Sequence, residues 1–147
     1  MLMQIGLGAL LLVITTVTAG AAALPMMRFF RLRNAWLSRE PHDLKLVLAM
    51  ILASLWMLFI ITASVTIWAT GFRLLGLFDT MEQSVYFSLT VFTTLGFGDV
   101  LLPQQWRILG VIAAVNGLLN VGVLTAILIE TLRNIRRRQM RDHKEPR

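Results

Sequence analysis

The residues best suited to a chemical role form one short stretch, TTLGFGDV, from Thr93 to Val100. Gly96 and Gly98 are separated by a single residue, and glycine enters the left-handed φ/ψ region that other residues avoid. A backbone that alternates between the ordinary and the left-handed region from Thr94 to Phe97 turns successive carbonyl oxygens toward one axis. Neutral carbonyl oxygens can replace the hydration shell of a monovalent cation, and the Thr94 hydroxyl offers one more oxygen. The spacing therefore predicts a cation-binding segment built from backbone oxygens.

One chain supplies only one side of such a set of ligands. Four copies around a common axis complete it, so the stretch predicts a homotetramer with cyclic symmetry. A second copy of the chain is thus the first partner that we expect.

The composition indicates which kind of protein must position this stretch. Of the 147 residues, 56% are hydrophobic and 15% are charged, and the mean hydropathy is +0.71. These values favour a membrane bundle over a soluble domain. The absence of cysteine excludes a disulfide, a thiolate metal site and a cysteine nucleophile. Because no acid, base and nucleophile converge in the apolar regions, we do not expect an enzyme.

Three apolar segments are long enough to cross a bilayer, which takes about 20 helical residues. They are Leu2–Leu24, Leu44–Thr70 and Trp106–Thr131. The first, which ends at Pro25, has an alternative interpretation as a secretory signal peptide, because small residues at 18–23 resemble a cleavage region. It lacks a basic leading region and is followed by arginines, so we interpret it as a membrane-spanning helix.

Basic residues predict the orientation of these helices, since they concentrate in cytoplasmic loops. The first connection and the C-terminal tail are rich in arginine, whereas the second connection holds only Arg73, with Arg107 at its edge. We therefore expect an integral protein of a plasma membrane or a bacterial inner membrane, with its N-terminus outside and its C-terminus in the cytoplasm. This topology accounts for the net charge of +6, so no nucleic-acid partner is expected.

A short helix precedes the glycine-containing stretch. Thr80 and Gln83 have the spacing of a capping box, and the apolar residues from Met81 to about Thr93 are too few to span a bilayer. This helix must be re-entrant or interfacial, and its partially negative C-terminus favours a cation beside it. The predicted fold is an all-α membrane protein with three transmembrane helices and a re-entrant helix between the second and the third.

The string TTLGFGD at 93–99 resembles the selectivity filter of potassium channels, whose usual form is T-T-V-G-Y-G-D. With Phe97 it is similar to the second pore loop of two-pore-domain members. The resemblance covers residues 44–131 as an outer helix, a pore helix, a filter and an inner helix, and it leaves the first helix outside. It implies a tetrameric pore architecture that conducts dehydrated K⁺, with K⁺ as the permeant ion and no other cofactor.

The resemblance assigns roles to the residues of this filter stretch (Thr94 to Gly98). Potassium is coordinated by the Thr94 side chain and by the carbonyls of Thr94, Leu95, Gly96 and Phe97, while Gly98 lies at the outer mouth. The residues implied as filter support are Thr93, Tyr86, Phe87 and Asp99.

Two departures from the family pattern concern this support. Neither Phe97 nor Phe87 carries a hydrogen-bond donor, so ring packing is expected to replace the usual aromatic brace, while Tyr86 can still bond Asp99. Leu95 stands where valine is usual. These changes leave a weakly selective monovalent cation channel as an alternative to a potassium channel. A further alternative is a non-conducting membrane scaffold or accessory subunit.

Polar and small residues in the third segment predict the lining of an inner cavity. Asn116 and Asn120 lie about one helical turn apart, and intramembrane amides need water or a partner. We prefer cavity lining to hydrogen bonding between helices. Gly117 is interpreted either as a hinge or as a site of close helix packing, and both interpretations stay open.

The remaining segments flank the pore. Apolar residues between Met26 and Leu37 fall on one helical face, which favours a helix in the membrane interface; the alternative is a basic linker with incidental apolar anchors. Arg28, Arg31 and Arg39 lie on the opposite face and are expected to contact membrane lipids, anionic lipids among them. The predicted units are an N-terminal transmembrane helix (1–27), a basic amphipathic cytoplasmic linker (28–43), the pore domain (44–131) and a basic cytoplasmic tail (132–147).

Overall fold

The computed structural model describes residues 1–32 and 42–142, and all regular structure in these residues is helical. The predicted lipid contact of Arg39 lies outside the described residues, and so does the side chain of Arg31. The helices are α1 (Leu2–Leu32), α2 (His42–Leu74), α3 (Met81–Phe92) and α4 (Arg107–Asp142), with a single 3-10 turn at Gln104–Trp106.

Three of these helices are long and apolar enough to cross a membrane. The candidate spans are Leu2–Met26, Val47–Leu74 and Gln104–Glu130. The short helix α3 lies between the second and third spans along the chain. The predicted fold class, an all-α protein with three membrane-spanning helices and a short helix before the last, is confirmed.

Two helices are longer than the sequence predicts. α1 runs through Pro25 to Leu32, so the start of the predicted linker is helical, and α4 continues through the basic tail to Asp142. Proline gives no N–H to the carbonyl four residues earlier, and its ring crowds that turn. Trp56 of α2 donates its Nε1–H to the carbonyl of Ala22 at 2.9 Å. This bond fastens the weakened turn of α1 to α2.

The first helix packs along both α2 and α4. A Cβ built on Gly8 would lie 2.7 Å from the Ile112 side chain of α4, and one built on Gly71 would lie 3.1 Å from Leu11. Glycine at these two positions lets the helices approach more closely than any larger residue would. α1 is therefore an integral part of the bundle.

An aromatic core fixes α3 between α2 and α4. Trp68 and Phe72 of α2 are fully buried, as is Leu109 of α4, and Phe87 and Phe92 of α3 are nearly so. Between membrane-spanning helices, such packing stabilises the bundle through close van der Waals contact between side chains. The core holds the helix that precedes the filter stretch at a fixed depth in the bundle.

Candidate functional site

The start of α3 shows the predicted cap. Thr80 has extended backbone (φ −127°, ψ 153°), and its side-chain oxygen accepts a hydrogen bond from the N–H of Gln83 at 3.2 Å. The helix then runs from Met81 to Phe92, and Thr93 caps its C-terminus. The sequence-based boundaries of this helix are confirmed to within one residue.

The filter stretch begins as the C-terminal cap of α3. The N–H of Thr94 donates to the carbonyl of Val91 at 3.0 Å, and the N–H of Leu95 donates to the carbonyl of Thr90 at 2.9 Å. These two bonds form a Schellman motif, in which the residue after the cap has a left-handed conformation and is usually glycine. Thr94 occupies that position with a φ of 58°. The first residues of the filter stretch are thus hydrogen-bonded directly to the end of α3.

Left-handed conformations recur at every second residue of the filter stretch. Positive φ values occur at Thr94 (58°), Gly96 (53°) and Gly98 (81°), and Leu95 and Phe97 do not share them. The alternation that the two glycines predict is therefore present. A Cβ on either glycine would meet no atom within 4 Å, so within one chain it is the φ angle, and not space, that favours glycine.

The conformation of Thr94 was not predicted. Among the described residues it is the one non-glycine residue with positive φ, and a β-branched residue is among the least expected there. Its hydroxyl donates to the carbonyl of Thr93 at 2.7 Å. Because that bond uses the only proton, the lone pairs of the hydroxyl oxygen remain available to a cation.

The filter stretch is exposed on the single chain. Leu95 is 56% exposed and Phe97 is 68% exposed, and the neighbouring face of α4 presents Val111, Val115 and Leu118 in the same way. The three residues of α4 belong to the candidate span Gln104–Glu130, so their exposure on one chain suits contact with lipid or with a neighbouring copy.

Tyr86 and Asp99 form the hydrogen bond that the sequence predicts. The tyrosine hydroxyl donates to Oδ2 of Asp99 at 2.6 Å. This bond lowers the pKa of the Asp99 carboxyl below its ordinary value and raises the pKa of the Tyr86 hydroxyl above its own. It ties the residue after the filter stretch to the middle of α3, while its role in filter support stays a prediction.

Phe87 packs against two aromatic rings, and Phe97 is not one of them. Its ring is edge-on to Phe72 at a centroid distance of 5.4 Å and tilted against Phe78 at 5.2 Å. Phe97 is largely exposed. Within one chain, the ring packing of Phe87 therefore holds α3 against α2 and the connection before α3, and it does not brace Phe97.

The two asparagines of α4 do not line a cavity. Asn116 is fully buried and Asn120 is 5% exposed. Nδ2 of Asn116 donates to the Thr15 hydroxyl of α1 at 2.7 Å, and Nδ2 of Asn120 donates to Oδ1 of Asn116 at 3.3 Å. The preferred interpretation, cavity lining, is wrong for both residues. Partners lower the cost of burying these amides in an apolar bundle. Asn116 bonds to another helix, and Asn120 bonds to Asn116 on its own helix.

Gly117 is a point of close helix packing. A Cβ at this position would lie 2.5 Å from the carbonyl oxygen and 2.6 Å from the Cα of Phe92, the last residue of α3. The backbone of α4 thus supports the end of α3 directly. Of the two interpretations that the sequence leaves open, packing is the one for which this contact provides evidence.

A family model described as "Ion channel" matches residues 46–134. The matched range covers more than half of the chain, from α2 through α3 and the filter stretch into α4. The chain belongs to this ion channel family. Within the channel, α1 precedes the matched residues and is an addition to the two-helix pore. No curated protein and no solved structure matches the chain.

The structure joins some predicted site residues and separates others. Thr94 to Gly98, Asp99 and Tyr86 lie together at the C-terminal end and along the side of α3, whereas Arg28 is exposed in the last turns of α1. Thr15 was missed by sequence reasoning. Two buried asparagines on α4 require polar partners, but nothing in the threonine-rich α1 indicates which hydroxyl serves them.

Proposed function

We propose that the channel is potassium-selective and conducts dehydrated K⁺ passively through a homotetrameric filter lined by the carbonyls of Thr94, Leu95, Gly96 and Phe97. The observation that carries this proposal is the positive φ at every second residue of the filter stretch. Alternating left-handed and ordinary residues turn consecutive carbonyls to one side of the chain, where they can act together on a cation.

The ligands proposed for K⁺ are neutral. Carbonyl dipoles compensate for the lost hydration of the ion without trapping it, as a ring of carboxylates can. Asp99 is hydrogen-bonded to Tyr86, which directs this carboxylate toward α3. The C-terminal dipole of α3 adds a partial negative charge at the start of the stretch. All three features suit a monovalent cation that must both bind and leave.

Assembly into a tetramer is supported by the surfaces beside the filter stretch. A groove of about 290 Å³ lies between α3, the filter stretch and α4, and it is mostly apolar. Phe87, Gly98 and Val111 are among its lining residues, and the exposed Leu95 and Phe97 lie beside it along the chain. A neighbouring copy covers this surface and completes the set of oxygen ligands.

The orientation proposed for the channel places its N-terminus outside and its basic C-terminal segment in the cytoplasm. In that orientation Arg28, Arg31 and Arg39 lie at the inner leaflet, where anionic headgroups bind them. Neutralising these three arginines is expected to lower the open probability in anionic bilayers and to leave it unchanged in neutral ones. An unchanged open probability in both would refute the lipid contact.

The proposal is tested with the purified protein in liposomes. Reversal potentials in opposed K⁺ and Na⁺ gradients are expected to lie near the K⁺ equilibrium potential, and native mass spectrometry is expected to give four chains. A reversal potential near zero identifies a weakly selective cation channel instead. A monomer or dimer without flux identifies a scaffold or accessory subunit.

A matched pair of variants ties the flux to the filter stretch. Gly96→Ala and Gly76→Ala both place a Cβ on a residue with positive φ, 53° and 66°, with no atom within 4 Å of it. Each substitution has a similar conformational cost, about 1 kcal/mol, but Gly76 lies in the turn after α2. Gly96→Ala should abolish K⁺-selective flux and Gly76→Ala should retain it. Equal flux from both variants would contradict the proposed site.

A further inference from the structure

Thr15 is the partner that Asn116 finds outside its own helix. The Thr15 hydroxyl donates its only proton into α1, to the carbonyl of Leu11 at 2.8 Å or of Leu12 at 3.0 Å. Its oxygen can therefore only accept from Nδ2 of Asn116, at 2.7 Å. Both side chains are fully buried. The direction of this hydrogen bond is fixed, and it joins α1 to α4 in the interior of the bundle.

The same turn of α4 also supports α3. Gly117 follows Asn116 directly, and its Cα is so close to the end of α3 that a Cβ would lie 2.5 Å from the Phe92 carbonyl oxygen. Consecutive helical residues point about 100° apart, so one turn contacts α1 through Asn116 and α3 through Gly117. Any displacement of this turn changes both contacts.

The end of α3 is continuous with the filter stretch. Thr94 donates its N–H to Val91, one residue before Phe92, and Leu95 donates to Thr90. A chain of direct contacts therefore leads from Thr15 through Asn116 and Gly117 to the last turn of α3 and the first ligand residues.

We propose that α1 helps to position the filter stretch and that Thr15 and Asn116 are positioning residues for conduction. Their hydrogen bond fixes the turn of α4 that contacts the end of α3. In this way it sets the geometry of the K⁺ ligands that follow α3. This inference rests on the proposed function and extends it to a helix outside the residues that match the family.

The test compares variants at Thr15 with a matched threonine on the same helix. Thr15→Val removes the acceptor and keeps the shape of the side chain, whereas Thr15→Ser keeps the hydroxyl. Thr18→Val is the control, because the Thr18 hydroxyl makes a similar bond within α1, to Ile14 at 2.7 Å, but is exposed. The readout is the Na⁺ to K⁺ permeability ratio from reversal potentials, which does not depend on how many channels are folded.

Thr15→Val is expected to raise this ratio about threefold to tenfold, the factor that corresponds to one intramembrane hydrogen bond. Thr15→Ser and Thr18→Val should keep the wild-type ratio. Asn116→Leu also removes the acceptor of the Asn120 amide, so it should raise the ratio at least as far as Thr15→Val. Adding Thr15→Val to it should cause no further change, because Thr15 acts through Asn116. Should Thr15→Val fail to assemble, the double variant with Asn120→Leu added replaces all three hydrogen-bonded side chains by apolar groups, and it is expected to assemble with the raised ratio.

Two results separate the inference from the proposed function. A wild-type ratio in Thr15→Val, or in the double variant, overturns the role of α1 and leaves the potassium channel standing. Wild-type protein that conducts no K⁺ overturns the proposed function, and the inference with it.

Discussion

Replacing Gly117 by alanine tests whether the end of α3 rests on α4. The new Cβ would lie 2.5 Å from the Phe92 carbonyl oxygen, 2.6 Å from its Cα and 2.9 Å from its carbonyl carbon. Ordinary contact begins at 3.4 Å, so the backbones must separate by about 0.9 Å. Overpacking of this kind costs about 1–3 kcal/mol. Since the displaced turn carries the cap bonds of the filter stretch, K⁺ flux and selectivity should fall together with stability.

Gly122→Ala is the control, because Gly122 lies on the same helix as Gly117 and a Cβ at Gly122 meets no atom within 4 Å. Both alanines gain up to about 1 kcal/mol of helix propensity, so the difference between the variants isolates the contact with Phe92. Thermal unfolding in detergent and K⁺ flux in liposomes measure the two consequences. If Gly117→Ala and Gly122→Ala melt and conduct alike, the close contact does not support the filter stretch.

Two further substitutions address the filter stretch and its bond to α3. The hydrogen bond from Tyr86 lowers the pKa of Asp99, so it is fully formed above the ordinary aspartate pKa and is lost as the pH falls through the lowered pKa. Tyr86→Phe should therefore move the acid midpoint of K⁺ flux to higher pH. An identical midpoint would show that this hydrogen bond does not affect K⁺ flux. Thr94→Gly relieves a left-handed β-branched residue and should stabilise the protein by about 0.5–1 kcal/mol, yet lower K⁺ flux by removing a ligand hydroxyl. Flux at the wild-type level would show that the Thr94 side chain is not a ligand.

The bundle was predictable because its signals are local. Apolar length fixes the three spans, Thr80 and Gln83 fix the start of α3, and the spacing of Gly96 and Gly98 fixes the alternating backbone. The end of α1 was not predictable in the same way. Proline bends or ends many helices, and the tertiary bond by which Trp56 fastens this turn of α1 to α2, at the carbonyl of Ala22, leaves no local signal in the sequence.

The asparagines of α4 illustrate a different limit. Their sequence shows that each amide needs a polar partner, but both water in a cavity and a hydroxyl on a neighbouring helix satisfy that need. The choice depends on how α1 packs, and uniformly apolar segments carry no periodic signal of their buried face. The contact between Gly117 and Phe92 is likewise a product of three-dimensional approach, and the glycine alone suits a hinge equally well.

The Schellman motif joins the end of α3 to Thr94 and Leu95 with no connecting loop between them. In most helices the last turn can fray without consequence for the rest of the molecule, but here the amides that would come free belong to Thr94 and Leu95. Under the proposed function, loosening the end of α3 therefore also disorders the first K⁺-binding position. Thermodynamic reciprocity then requires that an occupant of that position tighten the helix in return. The proposed function therefore implies that the order of the last turn of α3 depends on whether K⁺ occupies the first binding position.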